Sequence, residues 1–123
     1  MKYLLIGLGG FLGANFRYLV QGWAAERWGS SFPYGTLIAN ATGSFVLGFF
    51  ITLITQRIIA SPNWRLFLAV GVLGGYTTFS SLTVETLTLV QAGRWLPGAL
   101  NLFGNVLLGL IAAFIGIVLA RAL

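Results

Sequence analysis

The stretch Gly71-Val-Leu-Gly-Gly-Tyr-Thr-Thr-Phe-Ser-Ser-Leu82 places a glycine pair and a run of hydroxyl side chains inside an otherwise apolar segment. A glycine pair followed by two β-branched threonines favours local unwinding of a helix. Backbone that leaves the helix at membrane depth survives only where it faces protein, water or an ion, because its N–H and C=O groups need partners. This stretch is therefore the first candidate for a transport site.

The composition indicates a membrane protein. Of the 123 residues, 58% are apolar and only 7% are charged, too few to cover the surface of a soluble domain. The apolar pattern that starts after Lys2 continues through Val20 without a cleavage site, so we expect a retained first helix. The chain contains no cysteine and no histidine, which argues against zinc or copper chemistry. No nucleophile is paired with a base, so we expect neither an enzyme nor a nucleic-acid partner.

Four apolar segments follow one another, and they predict an all-α, polytopic protein with four transmembrane helices in a single membrane domain. The segments cover about residues 3–25, 33–57, 63–92 and 95–120. The third is long enough to span a bilayer with a non-helical break near residues 74–79. Four tryptophans fall at or near the ends of the segments, as in an interfacial aromatic belt.

The loop charges leave the orientation of the chain open. An even number of spans places one set of cations on the same side as both termini, namely Lys2, Arg57, Arg65 and Arg121. The opposite side has Arg27 and Arg94, with Arg17 added if it reaches that interface. This is a weak bias under the positive-inside rule. Either the bias still fixes one orientation, or the chain inserts both ways and two copies are related by a two-fold axis in the membrane plane.

Polar side chains inside the segments are few. They are Asn40, Thr42, Thr77, Thr78, Ser80, Ser81, Thr83, Glu85, Asn101 and Asn105. Asn101 and Asn105 lie one helical turn apart and form a polar stripe on one face. A single such group more often makes an ordinary interhelical hydrogen bond, typically worth about 0.6 kcal/mol. Two stacked amides and a run of hydroxyls together favour a conduction path.

The available groups suit an anion better than a cation along this path. Glu85 is the only clearly intramembrane carboxylate, so the acidic rings of a cation pore are missing from the sequence. Hydroxyl and amide donors bind anions, and the positive edge of the Phe79 ring can do the same. Arg17 is a candidate for attracting anions to a vestibule. At the break itself, free carbonyls suit a cation and free amides suit an anion.

Three stretches resemble the signatures of the Fluc/CrcB family of fluoride channels, and together they extend the resemblance over essentially the whole chain. They are Gly9-Gly-Phe-Leu-Gly-Ala-Asn-Phe-Arg-Tyr18, Gly35-Thr-Leu-Ile-Ala-Asn-Ala-Thr-Gly-Ser-Phe45 and Gly74-Gly-Tyr-Thr-Thr-Phe-Ser-Ser-Leu-Thr-Val-Glu85. The third stretch is the most specific of them.

The resemblance implies a passive, fluoride-selective channel that exports cytoplasmic fluoride and so lowers its toxicity. It implies an antiparallel, dual-topology homodimer with two pores in the plasma membrane of a prokaryote, which is the inner membrane in a Gram-negative cell. It also implies a structural Na⁺ on the dimer axis, held by the backbone carbonyls of Gly74 and Thr77 from both subunits.

The resemblance further assigns roles to individual side chains. The implied fluoride path consists of Phe79, Asn40, Thr78, Ser80, Ser81, Asn101 and Asn105. Arg17 is expected to line an aqueous vestibule, and Glu85 corresponds to the acidic residue of the family.

One position departs from the family pattern. Leu82 stands where the family has a second phenylalanine, and leucine lacks the positive ring edge. Three outcomes are open. Conduction persists through Phe79 and the polar residues, or it becomes slower, or it requires a heterodimer in which a paralogue supplies the missing ring.

Two alternative functions are weighed against the channel. One is an antiporter like the small multidrug-resistance proteins, but the first segment lacks an acidic residue before Glu26. The other is a non-conducting subunit of a heteromeric channel.

Overall fold

The fold consists of four long apolar helical segments, each of which is long enough to cross a membrane. The computed structural model describes residues 1–56 and 61–123. The segments are α1 (Lys2–Trp28), α2 (Tyr34–Gln56), Pro62–Gln91 and α6 (Trp95–Ala122). The prediction of an all-helical chain with four candidate spans is confirmed. The predicted end of the second segment, Arg57, lies outside the described residues.

The third segment changes helix type before it breaks. It begins with α3 (Pro62–Trp64), continues as a π-helix (Arg65–Leu73) and ends its first half with α4 (Gly74–Tyr76). Its second half is α5 (Phe79–Gln91). We call these parts the first and second half-helices. Short π-helical insertions often occur next to functional sites, and this one leads directly to the break.

The break lies at Thr77 and Thr78, two residues after the glycine pair. Both threonines are extended, with φ and ψ of −80° and 155° at Thr77 and −150° and 117° at Thr78. Gly74 and Gly75 remain helical, so the expectation that the glycine pair itself unwinds is corrected. Gly75 serves close packing instead, because a Cβ there would lie 2.9 Å from the carbonyl oxygen of Gly10.

Glycines also let the remaining helices approach closely. On α1, a Cβ at Gly9 or Gly13 would collide with the backbone of the π-helix. On α6, a Cβ at Gly116 would collide with the carbonyl of Phe45 on α2. Such small-residue contacts are how membrane helices pack where no hydrophobic effect drives them together. They place α1 against the first half of the third segment and α6 against α2.

The outer surface is apolar, as a lipid environment requires. Large apolar side chains are exposed along α1 and α6, including Leu8 and Leu110. The four exposed tryptophans lie near helix ends, at Trp23, Trp28, Trp64 and Trp95. This is the distribution of an aromatic belt at two membrane interfaces.

Candidate functional site

The site is built around the helix break, and Thr78 starts the second half-helix. The Thr78 hydroxyl accepts a hydrogen bond from the backbone N–H of Ser81, at 3.1 Å. This is an N-cap, which satisfies one of the amides that a helix start leaves without a partner. The run of hydroxyl residues therefore explains why the helix resumes at Phe79.

Asn40 of α2 holds the break from the side. The backbone N–H of Thr78 donates to Asn40 Oδ1 at 2.8 Å, and Asn40 Nδ2 donates back to the Thr78 carbonyl at 3.0 Å. The side-chain amide thus pairs with the extended backbone as a neighbouring strand would. We call this pair of hydrogen bonds the Asn40 clamp. It joins α2 to the break at membrane depth, where unpaired backbone groups are costly.

The clamp and the cap redirect two backbone amides. In a continuous helix, the Thr78 N–H would bond the carbonyl of Gly74, and the Ser81 N–H would bond that of Thr77. The first donates instead to Asn40, and the second to the Thr78 hydroxyl. Both carbonyls thereby lose the donors that an intact helix would give them. These are the two carbonyls that the resemblance assigns to Na⁺.

Two further carbonyls at the break, those of Gly75 and Thr78, have side-chain donors. Asn40 bonds the Thr78 carbonyl, and Arg17 Nε donates to the Gly75 carbonyl at 3.2 Å. Arg17 thus lies against the break, at the C-terminal end of the first half-helix, where a cation is favourable. Within residues 1–56 and 61–123, no group of three His, Cys, Asp or Glu side chains is placed to hold a metal. A cation in this region would therefore rely on carbonyl oxygens.

A row of amides runs from the clamp into the protein interior. Asn40 Nδ2 donates to Asn105 Oδ1 at 2.9 Å, and Asn105 Nδ2 donates to Asn101 Oδ1 at 3.1 Å. Asn101 Nδ2 then donates to the Thr86 hydroxyl at 3.0 Å, which donates to the Leu82 carbonyl at 2.7 Å. We call Asn40, Asn105, Asn101 and Thr86 the amide ladder. It connects α2, α6 and α5.

The two middle amides of the ladder are buried, and each of its steps points the same way. Asn101 is fully buried at 0% exposure, and Asn105 is 5% exposed. The predicted stacking of Asn101 and Asn105 one turn apart appears as a direct hydrogen bond between them. Buried amides that are all paired in this way fix the relative positions of the helices.

The two positions of the family's phenylalanine pair differ in their surroundings. The Phe79 side chain is 76% exposed on the surface of the protomer, whereas Leu82 is 4% exposed and lies in its interior. Ser80 is also exposed, and Ser81 is half-buried. The ring and the first hydroxyl after the break therefore face outward from the single chain.

A second polar group lies about two turns further along α5. The Thr36 hydroxyl donates to Glu85 Oε1 at 2.7 Å, and Gln21 Nε2 donates to Thr36 Oγ1 at 3.2 Å. These three side chains and Ser81 line a recess of about 410 Å³. The residues of the α1–α2 loop form its other wall. We call this cavity the polar recess.

The predicted site residues thus form two groups. The break and the ladder bring together Arg17, Asn40, Thr78, Asn101 and Asn105. Glu85 and Ser81 belong to the polar recess, which Arg17 does not line.

Sequence reasoning missed Gln21, Thr36 and Thr86. Thr36 precedes Asn40 by four residues, the same spacing as Asn101 and Asn105, so the polar face of α2 was available as a signal. Gln21 follows Arg17 by four residues on α1 and offered the same signal.

Comparison with known proteins identifies relatives over the full length of the chain. The family model described as CrcB-like protein, Camphor Resistance (CrcB), matches residues 4–117. A protein of Roseiflexus sp. (strain RS-1) named fluoride-specific ion channel FluC is 48% identical over 123 residues, covering 100% of this chain and 99% of the relative. A protein of the same name from Sulfurihydrogenibium sp. (strain YO3AOP1) is 49% identical over 122 residues, covering 99% of this chain and 98% of the relative. Another from Rhizobium meliloti (strain 1021) is 45% identical over 120 residues, covering 98% and 96%.

The Asn40 clamp makes a stability prediction. We expect Asn40→Ala to lower the free energy of unfolding by about 1–3 kcal/mol, because buried partners on the break and on Asn105 lose their hydrogen bonds. Thermal unfolding in detergent measures this loss. Hydrogen exchange, followed by mass spectrometry, should also become faster in the peptide that contains Thr78. Asn63→Ala, an exposed change of the same type, is the control. Equal unfolding and exchange in the two variants would contradict the clamp.

Proposed function

The chain belongs to the CrcB/FluC family, and from this premise we propose that it is a fluoride-selective passive channel that exports fluoride from the cytoplasm. The observation that carries the proposal is the 48% identity over the whole chain with a protein named fluoride-specific ion channel. Four apolar spans and bacterial relatives make the chain a multi-pass membrane protein of a bacterium. Its proposed location is the plasma membrane, which is the inner membrane in a Gram-negative cell. The family match leaves the antiporter alternative without support.

The chemistry of the break fits fluoride. Fluoride is small, strongly hydrated and a strong hydrogen-bond acceptor, so a pore has to replace its water shell with many close donors. The proposed path runs past the Phe79 ring edge and the hydroxyls of Thr78, Ser80 and Ser81. A narrow path of this kind rejects chloride by width.

The amide ladder extends the proposed path, but its donors are already engaged. Asn40 gives both of its N–H hydrogens to protein oxygens, on Thr78 and Asn105. Asn105 gives its own to Asn101. An anion that binds one of these amides therefore exchanges a ladder hydrogen bond for one to itself. Such an exchange keeps the amide donor hydrogen-bonded and so avoids the cost of an empty buried donor.

We propose that Na⁺ is held by the Gly74 and Thr77 carbonyls of two subunits. The redirected N–H groups of Thr78 and Ser81 support this assignment, since they leave these two oxygens available. Carbonyl oxygens are suitable ligands for a hard cation. A cation there supplies a fixed positive charge beside an anion path.

We propose that the working unit is an antiparallel homodimer. A polar break cannot face lipid, and the exposed Gly74, Phe79 and Ser80 lie at or beside the break. A second copy related by a two-fold axis in the membrane plane covers that face and supplies the second set of carbonyls. The weak charge bias of the loops is compatible with insertion in both orientations.

Leu82 bears on whether the dimer conducts alone. The leucine fills the interior of its own protomer and leaves Phe79 as the exposed ring near the break. We propose that conduction persists through Phe79 and the polar residues. The alternative of a non-conducting subunit or a heterodimer with a paralogue predicts that the lone protein is silent.

Fluoride efflux tests the proposed function directly. Liposomes that contain the purified protein and potassium fluoride should release fluoride when valinomycin lets potassium leave, as read by a fluoride electrode. Liposomes loaded with potassium chloride should not release chloride. Silence with both salts rejects a homomeric fluoride channel.

In the same assay, Phe79→Ile should abolish efflux without separating the dimer, because the ring edge is lost while an apolar side chain remains. Phe114→Ile, on the exposed surface of α6, is the matched control and should leave efflux intact. Full flux through the Phe79 variant would show that its ring does not contact fluoride.

Single cysteines test the orientation, because the chain has none of its own. Ser30→Cys and Ser61→Cys place one thiol at each of two exposed positions that are predicted to lie on opposite faces. In a dual-topology population, a membrane-impermeant maleimide added to intact vesicles should label about half of each variant. A population with one orientation would instead label one variant fully and the other not at all.

Sodium dependence tests the proposed cation site. Unfolding temperature and dimer retention in detergent should rise with sodium chloride, because a ligand that binds only the folded dimer stabilises it. Choline chloride at the same concentration controls for ionic strength. Identical curves in the two salts would refute a specific Na⁺ site.

A further inference from the structure

We propose that Gln21 is a positioning residue, which keeps the Glu85 carboxylate on Thr36 and thereby leaves the Ser81 hydroxyl free to receive fluoride from the polar recess. This rests on the proposed function as a fluoride channel.

Close packing brings Gln21 to Thr36. A Cβ at Gly35 would collide with the Cα of Gln21, so α1 and α2 are in direct contact there. Thr36, the next residue, is 1% exposed. Its hydroxyl has two neighbours in this buried position, the Gln21 amide and the Glu85 carboxylate.

The hydroxyl fixes the direction of the hydrogen bonds. Thr36 has one hydrogen to donate, and an ionised carboxylate only accepts. The Thr36 hydroxyl donates this hydrogen to Glu85 Oε1, at a distance of 2.7 Å. Gln21 must then donate to the Thr36 oxygen, as its Nε2 does at 3.2 Å. The row Gln21 to Thr36 to Glu85 therefore has a single direction.

The position of Glu85 matters because Ser81 lies one turn away on α5. Both residues line the polar recess, which makes them the α5 groups that an anion in it approaches. Side chains four residues apart on a helix are within reach of each other. In the part of the chain that the structure describes, no hydrogen bond engages the Ser81 hydroxyl. Ser81 is thus a free donor, provided that Glu85 stays on Thr36.

Loss of the Gln21 amide removes this arrangement. The Thr36 hydroxyl is then free to turn away from Glu85, and the released carboxylate can bond the Ser81 hydroxyl, which lies one turn before it on α5. That hydrogen bond occupies the donor that fluoride would use, and it brings a negative charge onto the anion path. The expected result is slower fluoride access without a change in the break.

Infrared spectroscopy tests the positioning, and it does so independently of flux. The chain has only two acidic side chains, Glu26 and Glu85, so subtraction of a Glu85→Gln spectrum assigns the Glu85 carboxylate band. Gln21→Met, which keeps the length but has no donor, should shift that band. Gln91→Met, the same change at the exposed end of α5, should not. An unshifted band in Gln21→Met overturns the proposal.

Efflux measures the consequence. Gln21→Met should slow fluoride efflux by about threefold to tenfold, the range expected for one hydrogen bond, while Gln91→Met keeps the rate of the unmodified chain. If Gln21 acts through Thr36, Gln21→Met/Thr36→Val should be no slower than Thr36→Val alone. Multiplied losses in the double variant would mean that Gln21 acts by packing and would overturn the proposal. Gln21→Glu keeps the side-chain shape but replaces the donor by an acceptor. Its fluoride efflux should be slowed at least as much as that of Gln21→Met. This variant replaces Gln21→Met in the test if the methionine variant does not fold.

The outcomes also separate this inference from the proposed function. A silent unmodified chain rejects the fluoride channel, and the infrared shift then still decides whether Gln21 positions Glu85. An active chain whose efflux is unaffected by Gln21→Met keeps the channel and rejects the role of Gln21.

Discussion

Two extended residues at membrane depth, Thr77 and Thr78, set the conditions that the rest of the structure meets. The Thr77 N–H still bonds the Leu73 carbonyl, but the Thr77 carbonyl and the Thr78 backbone have left the helix, and lipid offers them no hydrogen bonds. The partners come from other helices, because Asn40 of α2 pairs with Thr78 and Arg17 of α1 bonds the neighbouring Gly75 carbonyl. The packing glycines of α1 let that helix approach the first half-helix closely, which brings Arg17 within reach of the break. The break is thus a consequence of tertiary contacts as much as of local sequence.

The hydrogen bonds that pair the backbone at the break also organise the polar side chains of the interior. The Asn40 amide that holds Thr78 continues into Asn105 and Asn101, so one network both supports the irregular backbone and joins three helices. The polar recess is a separate level of the protein, where Thr36 and Glu85 meet. Ser81 connects the two levels, because its N–H donates to the Thr78 cap while its side chain lines the recess. A chain with few polar groups therefore concentrates them along one route.

The number of membrane spans could be predicted from the sequence, because charged or turn-rich loops clearly separate four apolar segments. The pairing of Asn101 with Asn105 was equally accessible, since a spacing of four residues stacks side chains on any helix. The predicted range of the break, residues 74–79, contains the extended residues Thr77 and Thr78, but the sequence did not single them out within it. The position of the break depends on Asn40, which is remote in sequence and reaches Thr78 only in the folded chain. The spacing of Gln21 from Arg17 was visible in the sequence, but its contact with Thr36 exists only in the folded chain.

The amide ladder has a property that its individual hydrogen bonds do not show. Every amide in it donates toward the next, from Asn40 through Asn105 and Asn101 to Thr86, so the side-chain dipoles add up along the row. The backbone fixes this direction at both ends, because the Thr78 N–H and carbonyl orient the Asn40 amide and the Leu82 carbonyl can only accept from Thr86. The ladder gives a single protomer an electrical direction without using a charged residue. In the proposed pair related by a two-fold axis in the membrane plane, the two directions would oppose each other, so the ladder dipoles of the two copies would cancel along the membrane normal.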